Sequence, residues 1–177
     1  MGWTAPRTWT DGELVTKAIM DPHVRDNLLA VGPHLVVRKP SDESVTSSTV
    51  LQDDNNLLMA LAANEIWHVR FILLMFDNSA SVADGKVAFT IPAGASMGLT
   101  VIYDKPGSAG AQMSRFNTSG TSVQVDLTNV LSAIEVFGVV TNGGTAGNLT
   151  LQWAQAVSNA SSLDMKANST LWAVKLA

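Results

Sequence analysis

Hydrophobic and polar residues alternate with a period of two along most of the chain, and the pattern is clearest near its end. Leu149, Leu151, Trp153 and Val157 alternate with Thr150, Gln152 and Gln155, as expected for a strand with one buried face. A second strand follows, with Leu171, Ala173 and Lys175 on one side and Trp172, Val174 and Leu176 on the other. A chain that closes on a buried strand predicts an all-β module. The same reading places strands near Thr49–Gln52, Leu57–Ala62, Ile66–Phe76, Lys86–Ile91 and Met97–Tyr103. Further strands are expected near Ser122–Leu127, Ile134–Thr141, Asn148–Val157, Leu163–Lys166 and Thr170–Leu176. Turn signals such as Asp53-Asp54-Asn55-Asn56, Ala83-Asp84-Gly85 and Asn142-Gly143-Gly144 separate them. About eight to ten short strands fit a β-sandwich or jelly roll.

The period changes in the first thirty-odd residues. Residues 1–10 read as extended, carrying Trp3 and Trp9. Thr10-Asp11-Gly12-Glu13 has the form of a capping box, in which the Glu13 carboxylate reaches back to the Thr10 amide. Leu14, Val15, Ala18 and Ile19 then recur at helical spacing, and Asp21-Pro22 restarts the helix. Val24, Leu28 and Val31 continue the apolar stripe until Gly32-Pro33 ends it. Such a segment has too little apolar surface to fold alone and must dock on something. Residues 33–48, with Pro33, Pro40 and Ser41-Asp42-Glu43-Ser44, read as a linker. The expected class is therefore mainly β: a jelly-roll-like β-sandwich over 49–177, preceded by a short helical anchor over 1–32.

Composition narrows the function. Charged residues make up 15% of the 177, against about 25% in an average domain, and net charge is −4. No basic footprint points to nucleic acid as a partner. Low charge suits either extracellular exposure or large subunit interfaces, where Lys, Glu and Asp are depleted. The longest apolar stretch, Ile66–Phe76, is broken by His68 and Arg70 and is too short for membrane insertion. No secretory signal pattern opens the chain. Cysteine is absent, so there are neither disulfides nor thiolate sites to argue from.

Candidate chemistry is sparse. His23, His34 and His68 show no metal-ligand spacing, and Asp53–Asn56 lacks the alternating pattern of a calcium loop. No phosphate loop or Gly-x-Ser-x-Gly elbow occurs, and a glycan-cleaving enzyme would need a convergent carboxylate pair that the sequence does not display. The expectation is a non-enzyme without cofactors. Four Asn-x-Ser/Thr sequons, at Asn117, Asn148, Asn159 and Asn168, read as turn and strand-edge composition. Trp67, Trp153 and Trp172, with Phe71 and Leu73 of the long apolar strand, read as core or subunit-interface residues; carbohydrate stacking is the less favoured role for the tryptophans. The Gly/Ser-rich excursion Asp104–Gly120 is the candidate receptor loop, with Asp104, Lys105, Gln112 and Arg115 as its contacts.

Pro6-Arg7-Thr8-Trp9-Thr10-Asp11-Gly12-Glu13-Leu14-Val15-Thr16-Lys17-Ala18-Ile19-Met20, followed by His23-Val24-Arg25-Asp26-Asn27-Leu28, resembles the leader of many tailed-bacteriophage virion proteins. Those leaders run tryptophan, Gly-Glu-x-Val-Thr, a Met, and then Arg-Asp-Asn-Leu. Leu149–Gln155 and Ser169–Ala173 resemble the closing strands of the same family. The family usually has Asn after the Met, where this chain has Asp21-Pro22, a difference that predicts a kinked leader. The resemblance implies a minor tail, fibre or head-decoration protein, associated as a homotrimer and docked on a phage capsid or tail protein. It also implies a place on the virion, after synthesis in the host cytoplasm and release by lysis. In such an anchor Trp3, Trp9, Leu14, Val15, Ile19 and Leu28 would supply apolar burial, Glu13 the cap, and Arg25 and Asp26 polar register. The second reading is a tail module that binds a host-surface glycan or protein through the Asp104–Gly120 loop.

Overall fold

Alternation between buried and solvent-facing side chains is kept in the long strands, and it decides which residues build the core. The computed structural model describes residues 4–5, 7–27, 34–79, 82–105, 107 and 109–176. It divides into two units, Met1–His34 and Leu35–Ala177. The first contains α1 (Lys17–Met20), which runs directly into a π-helical turn over Asp21–Arg25. The strands are β1 (His34–Arg38), β2 (Glu43–Val45), β3 (Gln52–Leu61), β4 (Ile66–Asp77), β5 (Gly85–Thr90) and β6 (Ser96–Asp104). They continue with β7 (Ala111–Phe116), β8 (Val123–Val125), β9 (Ser132–Thr141), β10 (Gly147–Gln155), β11 (Leu163–Met165) and β12 (Thr170–Lys175).

The strands form two sheets with antiparallel pairing. The larger follows the order β1-β12-β4-β9-β6-β7, with β11 beside β4 and β2 beside β11; the smaller follows β3-β10-β5-β8. This is the sandwich-like, mainly β fold that the alternation predicts. Along β4, Trp67, Val69, Phe71, Leu73 and Met75 are buried. From the smaller sheet come Leu57, Met59, Val87, Phe89, Leu149, Leu151 and Trp153, all at 2% exposure or less. Burying each large apolar side chain contributes about 1.5–3 kcal/mol. Phe71 of β4, Phe89 of β5 and Phe116 of β7 stack in series, with ring centroids 4.9 and 5.1 Å apart, and so tie the two sheets together.

Three expectations change. Residues 33–48 are not a linker: they carry β1 and β2, which extend the larger sheet beside β12 and β11. Ala111–Phe116, placed within a long loop by its Gly/Ser-rich surroundings, is β7, paired to β6 from Leu99↔Phe116 to Asp104↔Ala111. Asp53–Asn56 does not separate two strands but lies inside β3. There β3 takes five steps from Leu58 to Asp53 while β10 takes two from Thr150 to Gln152, so the strand bulges. Because the difference is odd, the inward parity of β3 switches at the bulge. Asp54 is thereby turned inward and fully buried.

The buried carboxylate is satisfied from two sides. Its Oδ1 accepts the amides of Asn56 and Leu57 at 2.9 and 2.8 Å, which holds the bulge closed. Its Oδ2 accepts the Lys39 ammonium at 2.8 Å, and Lys39 also reaches Glu43 at 2.6 Å. Lys39 is 1% exposed. Its backbone is fixed as well, donating to Ser169 O at 2.8 Å and accepting from the Asn168 amide at 2.9 Å. At Gly138 (φ +153°), β9 crosses β6 so closely that a Cβ would meet Gly98 O at 2.0 Å, which only glycine permits.

Removing one partner of a buried pair leaves the other charge without compensation, which costs about 3–5 kcal/mol. Lys39→Met keeps the length of the side chain and should destabilise the sandwich by that amount in urea unfolding. A loss below about 1 kcal/mol would mean that the pair does not hold the edge.

Candidate interaction surfaces

The sequence suggests three surfaces, and each is built differently from its expectation. In the Met1–His34 unit, Thr10 and Glu13 close a turn and not a helix start: the Glu13 amide donates to Thr10 O at 3.1 Å, and Glu13 Oε2 accepts the Thr10 amide at 3.4 Å. The helix begins four residues later, at Lys17, so Leu14 and Val15 precede it. A new helical element does begin at Asp21-Pro22, with Pro22 near its start, but it is a π turn that continues directly from α1. The extended segment is held by Asn27, whose side chain accepts from the Thr4 amide at 2.8 Å and donates to Thr4 O at 2.9 Å. Arg7 pairs with Glu13, and its guanidinium lies 5.2 Å from the Trp9 ring centre.

Arg25, expected to set register with a docking partner, pairs inside the unit with Asp21 at 3.1 Å and with Asp26 at 2.7 Å. Beside exposed polar residues such as Lys17, this unit also presents large apolar side chains to solvent. Leu14 is 79% exposed, Val15 53% and Trp9 48%, while Ile19 is half-buried. Trp3 and Leu28, and the stop at Gly32-Pro33, lie outside the described residues.

Within the Asp104–Gly120 excursion, β7 pairs antiparallel with β6 from Asp104↔Ala111 to Leu99↔Phe116. Lys105 pairs with Asp126 at 3.0 Å, and Tyr103 donates to the same carboxylate at 3.4 Å. Burial and the Asp126 charge push the Tyr103 hydroxyl above its ordinary range. Asp104 is exposed at the end of β6, and Gln112 Nε2 donates to Gly110 O at 3.4 Å. Arg115 pairs across to Thr100, one strand parity away from Gln112, so these two face opposite sides of the sheet. The four proposed receptor contacts therefore do not converge. Below the hairpin, Asp77, Asp84 and Asp126 gather, but each is taken up by the chain itself. Asp77 accepts the Ser79 and Asp84 amides at 2.8 and 3.0 Å, and Asp84 accepts the Leu127 amide at 2.8 Å. Among the described residues no group of three or more His, Asp or Glu is placed to hold a metal.

The third surface is the outer face of the larger sheet. Trp67, Phe71, Leu73 and Trp153, expected at a subunit interface, point into the sandwich at 8% exposure or less and have no surface left to offer. Trp172 is the member of that set that faces out, at 36% exposure, with its ring edge-on to His68 at 6.1 Å. Register lays out its neighbours. One row crosses five strands as Trp172, Arg70, Phe137, Thr100 and Arg115. The next runs Thr170, Ile72, Glu135, Ile102 and Met113. Arg70 Nε donates to Glu135 Oε1 at 2.6 Å, joining the rows at their centre. Periodicity marked these outward positions of β4 and β12, but Met113 was hidden because β7 was not recognised as a strand.

No protein-family model matches the chain, and no curated protein matches it. Solved structures give distant likenesses. The tripod from the baseplate of bacteriophage Tuc2009 aligns over 97% of this chain and 73% of its own, at 8% identity and a TM-score of 0.31. A structure of infectious bursal disease virus, Gt strain, aligns over 82% of this chain and 38% of its own, at 11% identity and a TM-score of 0.21. The VP2 subviral particle of that virus aligns over 81% and 40%, at 11% identity and 0.20. Scores of 0.20 to 0.31 fall short of a common fold, so the architecture rests on the chain's own strands.

Asp84 supplies a pH test of this region. Desolvation, aided by the Asp126 and Asp77 charges, raises its carboxyl above the ordinary 3.8, against the hydrogen bond from Leu127. A raised folded value means that the native state holds the proton more tightly. That contribution to stability is complete below about pH 4 and is lost as pH rises through the folded value. Asp84→Asn keeps an acceptor for the Leu127 amide and suits the positive φ of 46° at this position. Its melting temperature should exceed that of the wild type at neutral pH, with the difference growing from about pH 4 upward. A difference independent of pH would remove burial of this carboxylate as the cause.

Proposed function

We propose that the chain is a non-enzymatic structural protein of a tailed-phage particle, a head-decoration or fibre protein that attaches through its N-terminal segment and displays the β-sandwich as a homotrimer. The observation that carries this reading is the apolar surface of the Met1–His34 unit. Trp9, Leu14, Val15, Met20 and Val24, on and around α1 and the π turn, are all more than a third exposed. Large side chains left in water at that density suit a partner's groove, where aromatic and aliphatic anchors contribute most of the binding energy. Several charged groups of the unit are paired within it, Arg7 with Glu13 and Arg25 with Asp21 and Asp26, and these pairs hold the segment's shape. The leader-like pattern from Trp9 to Asn27 supports a phage capsid or tail protein as that partner. The β-sandwich supports the displayed role: in the cluster described, Asp77 and Asp84 accept backbone amides, and Asp126 is engaged by Lys105 and Tyr103.

The test is particle incorporation. Leu14→Asp combined with Val15→Asp changes two exposed side chains, so the sandwich should melt at the wild-type temperature to within a degree or so. The same variant should be depleted at least about tenfold from purified particles, the effect of losing roughly 1.4 kcal/mol of docking energy. Deletion of residues 1–33, which spares β1, should abolish incorporation. A deletion variant that joins particles at the wild-type level would overturn the anchor.

A further inference from the structure

The two outer faces of the sandwich differ in chemistry. On the smaller sheet, the solvent-facing positions of β5 and β10 include Lys86, Thr90 and Gln152, which are polar. On the larger sheet the two central rows carry two aromatics, two isoleucines, a methionine and two arginines, with Thr100, Thr170 and a single acid, Glu135, and no lysine. Aromatics, Met and Arg are the residues enriched at interfaces, and Lys is among those depleted. Met113 stands 71% exposed on β7 and Val139 39% on β9. Apolar patches of this extent on a soluble chain mark interaction sites.

We propose that this face packs against a neighbouring copy of the chain, in a contact repeated about the threefold axis of the homotrimer. The inference rests on the homo-oligomer reading above and assigns its contact surface. Charge selects the occupant. The acidic and basic groups at the centre of the face, Arg70 and Glu135, already neutralise each other at 2.6 Å. A face carrying both members of such a pair can meet its own copy with Arg70 of one subunit near Glu135 of the other, so like charges are not brought together. A strongly charged partner would gain nothing from a neutral centre. Arg70 also lies in register between Trp172 and Phe137, so its guanidinium is placed where an aromatic side chain from the second copy could lie over it. The extent is adequate. Six strands about 4.8 Å apart and about 20 Å of strand length give roughly 500 Å² of flat area. With the relief of the side chains, that approaches the ~800 Å² per partner of a standard interface.

This places the contact on the opposite parity of β4 from Phe71 and Leu73. The same strand serves the core with one face and a neighbour with the other.

The full chain should be measured by light scattering at micromolar concentration, beside Ile102→Lys, Met113→Lys and, on the smaller sheet, Thr90→Lys. The wild type and Thr90→Lys should be oligomeric. Ile102→Lys and Met113→Lys should fall to the monomer mass with unchanged circular dichroism, at least about tenfold weaker in association. Met113→Lys decides the matter even where Ile102→Lys fails to fold, because its side chain is already largely in water. Folded face variants that keep the wild-type mass would overturn the assignment while leaving the oligomer intact. A monomeric wild type would overturn both the assignment and the oligomer. Particle incorporation of Met113→Lys separates these outcomes from the anchor: a monomer that still joins particles leaves the virion role standing.

Discussion

Lys39 lies where a charge is most costly, between two sheets and away from water, and much of the sandwich is arranged to accommodate it. Its ammonium meets Asp54 on one sheet and Glu43 at the edge of the other, while its backbone is clamped by the connection between β11 and β12. Neither ion is tolerable without the other, so the pair is an all-or-nothing constraint. Asp54 is available only because β3 bulges, and the bulge is closed by the same carboxylate that receives Lys39. Edge, bulge and sheet spacing are therefore set together.

The bulge also decides parity. Before it, even-numbered residues of β3 face inward; after it, Leu57, Met59 and Leu61 do. A strand has only two faces, so one miscounted residue exchanges a core for a surface. Strand β4 shows the same logic without a bulge. Its inward set is apolar throughout to Met75, and its outward set mixes His68 and Arg70 with Ile72 and Leu74. The interior claims the first set so fully that any role between molecules falls to the second.

Nine of the twelve described strands are ones the alternation reveals, and its three failures have physical reasons. β4, β9, β10 and β12 were legible because they alternate over six or more residues against a buried layer. β1 and β2 were read as a linker because Pro40 and a polar cluster surround them, and short edge strands carry little pattern of their own. β7 was missed because only Phe116 of its six residues is fully buried. Gly and Ser around it look like a loop, although the pairing to β6 is regular. Asp54 could not be identified as a buried ion from its neighbours, since burial there depends on the bulge and on Lys39, fifteen positions earlier. Among the candidate sites, the outward apolar residues of the N-terminal segment were legible as individual side chains. The polar ones were assigned outward and turned out to bind within their own unit.

The order of the larger sheet places β1 beside β12, so the first strand of the sandwich completes its pairing only with the last. Ribosomal synthesis delivers these partners in the worst order. While residues 40–169 emerge, β1 has no neighbour, and Lys39 lacks the Ser169 carbonyl and Asn168 amide that fix its backbone. Non-local closure of this kind folds slowly and leaves a strand edge open in the meantime. Until β12 is made, the larger sheet therefore keeps β1 unpaired along that edge, and the sheet closes only when both strands are present.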